Sequence, residues 1–145
     1  MSKVENFLSV EEEQEIVLAI RQAELNTSGE IRVHIEKSTL LSHYNRAQEV
    51  FNSLKMFNTQ AANAVLIYVA VEDHKFVIYG DKGINDVVSA NFWDTTKNIM
   101  QEQFKRGDFK QGIIEGVLKA GEELKVHFPW KIDDEDELSN EISKG

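Results

Sequence analysis

The sequence has no cysteine, one proline and no long apolar run. Without cysteine there can be no disulfide framework, thiolate metal site or cysteine nucleophile. The longest apolar stretch, Ala64 to Val71, is too short to cross a bilayer as a helix. The first residues carry one lysine and an early acidic run, which is not the pattern of a secretory signal. These absences predict a cytoplasmic protein without membrane insertion.

Positive charge is also scarce. Lys and Arg number 16 against 25 Asp and Glu, so the net charge is −9. A surface this acidic repels nucleic acids and anionic lipids and attracts divalent cations or basic partners. With 41% apolar residues in 145, the composition predicts one globular domain over residues 1–130, followed by an acidic, partly loose tail over residues 131–145.

The motifs of several common catalytic sites are missing. The sequence has no GxxxxGK[ST], GxGxxG, GxSxG, HExxH or DxDx[TV] pattern. The four histidines are scattered; His34 falls on the polar face of a predicted strand and His74 in a turn, which favours exposed structural roles for both. A mechanism based on a protein nucleophile therefore has little support.

The spacing of hydrophobic residues predicts the architecture of the protein. Apolar residues at intervals of three and four predict helices, and alternation or short apolar runs predict strands. The order strand, helix, strand predicts a parallel pair, and the short turn after it predicts an antiparallel third strand. We therefore expect an α/β fold, a three-layer α/β/α sandwich with a small mixed sheet flanked by helices. The predicted helices are Val10 to Leu25, His43 to Phe57, Ala90 to Lys105 and Phe109 to His127, and the strands are Glu30 to Ser38, Ala64 to Val71 and Phe76 to Gly80.

Two glycines in the last predicted helix are spaced as GxxxG. Gly112 and Gly116 lie on one face of that helix, with charged residues nearby. The charges disfavour dimerisation in a membrane, so the spacing predicts close approach of this helix to a neighbour within the domain.

Oxygen-bearing side chains converge at one predicted edge of the sheet. In a parallel pair with an antiparallel third strand, the starts of the first two strands and the end of the third share an edge. Glu30, Asn63 and Asp81 occupy those positions, and Asn85 and Asp86 follow in the segment YGDKGINDVVSANFW. Calcium takes six to eight oxygen ligands, which several loops together can supply.

The same segment also has structural interpretations. Asp81, Gly83 and Asn85 are spaced like the start of an EF-hand loop, but the required later glycine and glutamate are absent. The glycines could serve only a turn, Asp86 or Ser89 could cap the next helix, and Glu30 could be a solvated charge. The sequence is compatible with both the metal-binding and the structural interpretation.

The segments SGEIRVHIEKS, NAVLIYVAVEDHKFVIYGDKGIND and FKRGDFKQGIIEGVLKAGEEL together resemble the successive motifs of the TPM domain. The ending FPWKIDDEDELSNEIS is similar to that of soluble bacterial members. The resemblance implies an α/β/α sandwich, and a divalent-cation site with acid phosphatase activity as in plant members.

Individual positions can be matched to this family. Glu30 corresponds to the acid that opens the first strand, and Asn63 to the Asn or Asp before the second. Asp86 lies near an acidic position of the loop after the third strand. Gly107 and Asp108 match the first two residues of a Gly-Asp-Tyr motif between the last two helices. The chain departs from the family at three positions, with His74 where many members carry arginine, Ala64 for a glycine and Phe109 for an aromatic alcohol.

These observations predict a protein that binds calcium or magnesium. The candidate ligands are Glu30, Asn63, Asp81, Asn85, Asp86 and Asp108. An alternative is a metal-assisted phosphatase, in which Asp81 or Asp86 is the candidate base. A second alternative, inferred only from the family, is an adaptor in membrane-protein maintenance.

Overall fold

The structure is a computed structural model, which describes residues 7–129 and 142–145. These residues form five helices and four strands. In chain order the elements are α1 (Val10–Glu24), β1 (Glu30–Glu36), α2 (His43–Ser53), β2 (Ala64–Ala70), β3 (Lys75–Gly80), α3 (Lys82–Asn85), α4 (Asp94–Lys105), α5 (Phe109–His127) and β4 (Ser143–Lys144).

Helix α1 begins where its sequence predicts. The Ser9 hydroxyl accepts a hydrogen bond from the Glu12 backbone N–H (3.1 Å), and the Glu12 carboxylate accepts one from the Ser9 N–H (3.0 Å). This reciprocal capping box satisfies two donors that would otherwise be exposed at the helix start. The residues that α1 buries, Ile16, Ala19, Ile20 and Ala23, recur at the helical period and fix which face meets the core.

The sheet has the strand order β3-β2-β1-β4. Strands β1 and β2 are parallel, with Glu30 opposite Ala64, and β3 is antiparallel to β2, with Gly80 opposite Val65. The predicted mixed sheet is thus confirmed. Strand β4 adds a second parallel neighbour to β1, with Ser143 opposite His34. The sequence does not predict β4, because two residues carry no periodicity; the rest of the predicted tail, residues 131–141, lies outside the described residues.

Helices cover both faces of the sheet, as predicted for a three-layer sandwich. One apolar cluster joins the sheet to α1, α4 and α5, and a smaller one joins the opposite face to α2. Strand β2 is buried along its whole length, because it lies between β1 and β3 and is covered on both faces. Within the described residues, no helix is both long and apolar enough to span a membrane.

The segment after β3 differs from its prediction. Residues Lys82–Asn85 form a helical turn, and α4 begins at Asp94 rather than at Ala90. Gly83 lies inside that turn, where an added Cβ would be 2.2 Å from the Ala61 carbonyl oxygen and 2.5 Å from that of Ala62. Glycine at position 83 therefore allows the backbone of this turn to approach the backbone of residues 61 and 62 closely. A left-handed backbone conformation does not require it there.

The GxxxG prediction is confirmed. A Cβ on Gly112 would lie 2.5 Å from the ring of Phe104, and one on Gly116 would lie 2.5 Å from the sulfur of Met100. Both neighbours belong to α4, so the two glycines let α5 pack closely against α4.

Candidate functional site

The structure brings together the starts of β1 and β2 and the end of β3. The Glu30 backbone N–H donates to the Asn63 carbonyl (3.4 Å), and the Asp81 N–H donates to the Ala64 carbonyl (2.9 Å). Glu30 and Asn63 are almost fully buried, and Asp81 is partly buried. Glu30, Asn63 and Asp81 are called the amino-end cluster below, after the amino ends of β1 and β2.

Hydrogen bonds orient two side chains of this cluster. The Asn63 amide nitrogen donates to the Ser28 hydroxyl (3.3 Å), and one Asp81 carboxylate oxygen accepts from the Lys82 N–H (2.8 Å), which makes Asp81 the N-cap of α3. The remaining oxygens, Asn63 Oδ1 and Asp81 Oδ2, are buried and accept no hydrogen bond within the described part of the chain. Buried acceptors of this kind are uncommon in folded proteins.

Ser28 joins the amino-end cluster to the end of the longest helix. Its hydroxyl accepts from the Asn63 amide, and its backbone N–H donates to the carbonyl of Phe128, at the end of α5 (2.9 Å). The neighbouring Thr27 hydroxyl donates to the same carbonyl. The loop before β1 is therefore anchored on both sides.

Asn85 and Asp86 follow Asp81 closely along the chain, and both residues are exposed. The Asn85 amide nitrogen donates to the Gly80 carbonyl (3.1 Å), and Asp86 is the C-cap of α3. The predicted capping of the next helix is wrong, because α4 has Trp93 as its N-cap and no side-chain cap hydrogen bond.

Asp108 lies at the other end of the sheet. It is exposed and caps α5, where its side chain accepts from the Gln111 N–H (3.2 Å). The adjacent Phe109 lines a cavity with Val69 and Lys75, which are at the carboxyl end of β2 and the start of β3. Asp108 is therefore remote from the amino-end cluster.

No group of three or more His, Asp or Glu side chains in residues 7–129 and 142–145 is arranged to hold a metal ion. The amino-end cluster contains two carboxylates and one amide oxygen. A cation there would need backbone carbonyls or water as further ligands, which calcium and magnesium both accept.

A second buried polar cluster, which the sequence does not predict, is centred on Glu36. Glu36 is 4% exposed. One carboxylate oxygen accepts from Arg46 Nη2 (2.8 Å) and His34 Nε2 (3.0 Å), and the other accepts from Arg46 Nε (2.9 Å) and the Tyr68 hydroxyl. Four donors fill the four lone-pair positions of the carboxylate. We call these four residues the Glu36 cluster.

The Glu36 cluster perturbs the ionisation of its members. Burial alone would raise the pKa of Glu36, but the hydrogen bonds from Arg46, Tyr68 and His34 outweigh it and lower that pKa to about 2. Burial, together with the hydrogen bond to Glu36, raises the pKa of Tyr68. Glu36 is thus a carboxylate and Tyr68 a neutral phenol at neutral pH.

The predicted exposure of His34 is wrong, since its residue exposure is only 5%. The side chain stacks on Tyr68 with ring centroids 5.8 Å apart, and burial lowers its pKa. Because the carboxylate can only accept, His34 Nε2 carries the proton, and Nδ1 accepts from the Ser143 hydroxyl at 2.9 Å. The polar face of β1 is thus covered by α2, and the neighbouring strand β4 places Ser143 beside His34. Tyr68, inside an apolar strand, is the one sequence signal for this cluster, because a buried phenol needs a partner.

The two clusters differ in what they can do chemically. The Glu36 carboxylate has all its acceptor positions filled and a charge partner in Arg46, so it stabilises the packing of α2 against β1. The amino-end cluster has acceptors that still lack donors, so it can take a ligand that offers positive charge.

The fold and the amino-end cluster define the class of protein: an α/β/α sandwich with a mixed sheet and an oxygen-rich strand edge. The family model of the TPM domain matches residues 1–123. The chain therefore belongs to the TPM domain family, as its motifs predict. A search of curated proteins gave no significant match.

Two solved structures are similar to this chain. The NMR structure of the BA42 protein from the psychrophilic bacterium Bizionia argentinensis shares 65% identity over 100% of both chains, with a TM-score of 0.93. The N-terminal domain of the cg2496 protein from Corynebacterium glutamicum has a TM-score of 0.60 at 12% identity, over 95% of this chain and 80% of that one. The second likeness concerns the fold alone.

Proposed function

We propose that this protein binds a divalent cation, calcium or magnesium, at the amino-end cluster. The observation that carries the proposal is the pair of buried oxygens, Asn63 Oδ1 and Asp81 Oδ2, that accept no hydrogen bond from the described residues. A buried acceptor without a donor costs about 1–3 kcal/mol. A hard cation supplies the missing positive charge to several such oxygens at once.

The surroundings of the cluster support a cation rather than another ligand. Glu30 and Asp81 carry negative charge at the same edge of the sheet, in a protein whose net charge is −9. This field attracts cations and repels phosphate or carboxylate ligands. The strand ends and the Ser28 hydrogen bond position the oxygens before an ion arrives, which lowers the ordering cost of binding.

Asp81→Asn provides the test, with Asp108→Asn as its matched control. Both residues are N-caps whose side chains accept from the backbone, and asparagine caps a helix as well as aspartate does. The two substitutions therefore remove the same charge with little effect on helix stability. Only Asp81 belongs to the amino-end cluster.

Calcium and magnesium are titrated separately while backbone amide shifts are followed by NMR. We expect shifts centred on Glu30, Asn63 and Asp81, and a calcium affinity reduced roughly tenfold or more by Asp81→Asn, because ligand charge tunes affinity. The Asp108→Asn variant should bind as the unmodified chain does. Shifts confined to the acidic residues near the carboxyl terminus, or equal affinities for the two variants, would refute the proposal.

The finer roles predicted from the sequence stay predictions. A metal-assisted phosphatase would use the same ion to polarise a phosphoryl oxygen, with Asp81 or the exposed Asp86 as base. Its test is phosphomonoester hydrolysis that stops on chelation of the metal. An adaptor role in membrane-protein maintenance has only the family as its support.

A further inference from the structure

A cavity of about 360 Å³ lies at the end of the sheet opposite the amino-end cluster. Its walls come from the end of β2, the start of β3, the end of α4 and the start of α5, and they include Val69, Phe76, Phe104 and Phe109. The volume falls in the usual range for small-molecule sites. We call it the phenylalanine cavity.

Aromatic rings make up much of its wall. The rings of Phe76 and Phe104 meet edge to face with centroids 5.3 Å apart, and Phe109 lies 5.7 Å from Phe104 and 4.7 Å from Phe7. Gly112 leaves the space that the Phe104 ring occupies. All four phenylalanines remain partly exposed, so they offer apolar surface to a ligand.

The charge of the cavity is opposite to that of the protein. Lys75 and Lys105 line it, and none of the described residues in its wall is acidic, although 25 of the 145 residues are Asp or Glu. Neither lysine forms a salt bridge with another described residue. Lysine side chains pack their methylenes along apolar surface while the ammonium stays in water, at the mouth of such a site.

We propose that the phenylalanine cavity binds an amphipathic anion, of which an apolar monocarboxylate is the simplest form. The apolar body lies among the phenylalanine rings, and the carboxylate faces the ammonium groups of Lys75 and Lys105. A cationic ligand would be repelled by both lysines, and a small inorganic anion would leave the rings in water.

Three probes of equal chain length separate the contribution of the apolar body from that of the charge. They are octanoate, octanol and octylamine, which carry a negative, a neutral and a positive head group. Each is titrated into the full chain while amide shifts are followed by NMR. Octanoate should bind most tightly and octylamine least, with shifts centred on residues 69–76 and 101–109. Equal binding of the three probes, or octanoate shifts outside these residues, would overturn the proposal.

Charge variants then test the lysines. Lys75→Gln and Lys105→Gln should each weaken octanoate binding about two- to fivefold, the range for a partly solvated ion pair, and leave octanol binding unchanged. Lys97→Gln is the matched control, because Lys97 is exposed on α4 and does not line the cavity. If Lys97→Gln weakens octanoate binding as much as the other two, general charge and not the cavity attracts the anion, and the proposal fails.

Discussion

Replacing Glu36 by glutamine should change how stability depends on pH. The hydrogen bonds in the Glu36 cluster lower the pKa of this carboxyl from an ordinary 4.5 to about 2. A group whose pKa is lower in the folded state stabilises the fold fully above its unfolded pKa, and this contribution is lost as pH falls through the folded pKa. The relevant window therefore runs from about pH 5 to pH 2.

The size of the effect follows from the same values. Each pKa unit corresponds to about 1.4 kcal/mol, so Glu36 ionisation contributes roughly 3 kcal/mol to the free energy of unfolding at neutral pH. Glutamine keeps the shape but presents an N–H to the donors of Arg46 and Tyr68. Removing one partner of a buried ion pair typically costs about 3–5 kcal/mol. At neutral pH, Glu36→Gln should therefore lower the free energy of unfolding by at least the amount that Glu36 ionisation contributes.

The assay is urea unfolding at a series of pH values between 7 and 2. The difference in unfolding free energy between the unmodified chain and Glu36→Gln should stay constant above about pH 5 and shrink by roughly 3 kcal/mol towards pH 2. Glu49→Gln is the control, because Glu49 pairs with the same Arg46 but its side chain is 56% exposed. Its effect should stay below about 1 kcal/mol at every pH.

A difference between Glu36→Gln and the unmodified chain that does not change from pH 5 to pH 2 would refute this account of the cluster. If Glu36→Gln does not fold, Tyr68→Phe removes one of the four hydrogen bonds on the carboxylate and leaves the charge pair intact. Because that hydrogen bond lowers the Glu36 pKa, acid unfolding of Tyr68→Phe should begin at a higher pH.

Two predictions concern the backbone beside the amino-end cluster. Gly83→Ala should lower the free energy of unfolding in urea by roughly 1–3 kcal/mol, because the new methyl would lie 2.2 and 2.5 Å from the carbonyl oxygens of residues 61 and 62. Gly80→Ala is the control and should be close to neutral, because its new methyl would lie 3.4–3.6 Å from Ile84. An equal loss for both would contradict the close approach. Ala62→Gly should leave the free energy of unfolding unchanged or raise it by up to about 1 kcal/mol. Ala62 has φ +50°, and this left-handed region costs an L-residue about 1–2 kcal/mol. A clear loss of stability in the same assay would contradict this prediction.

The sequence predicts those parts of the fold that depend on local patterns. The start of α1 follows from Ser9 and Glu12, and the strand directions follow from the order and lengths of the segments, so the meeting of Glu30, Asn63 and Asp81 could be foreseen. The sequence does not predict that Asp108 lies apart from them, because its match to a motif does not say at which end of the sheet the residue lies.

The Glu36 cluster could not be predicted in this way. Arg46 and Tyr68 are ten and 32 residues from Glu36 along the chain, and the fourth strand is two residues long. The alternating pattern of β1 predicts one buried and one solvated face. Both faces are covered, because α2 supplies Arg46 and the final residues supply Ser143, and neither partner leaves a signal in the pattern of β1 itself.

Ser28 makes the rigidity of the amino-end cluster depend on a distant element. Its hydroxyl holds the Asn63 amide while its backbone holds the carbonyl at the end of α5, a helix of 19 residues packed against both α1 and α4. Any loosening of α5 would therefore release the loop that keeps Asn63 Oδ1 in place. Helix α5 contributes no residue to the cluster, yet it fixes the position of the loop that orients Asn63.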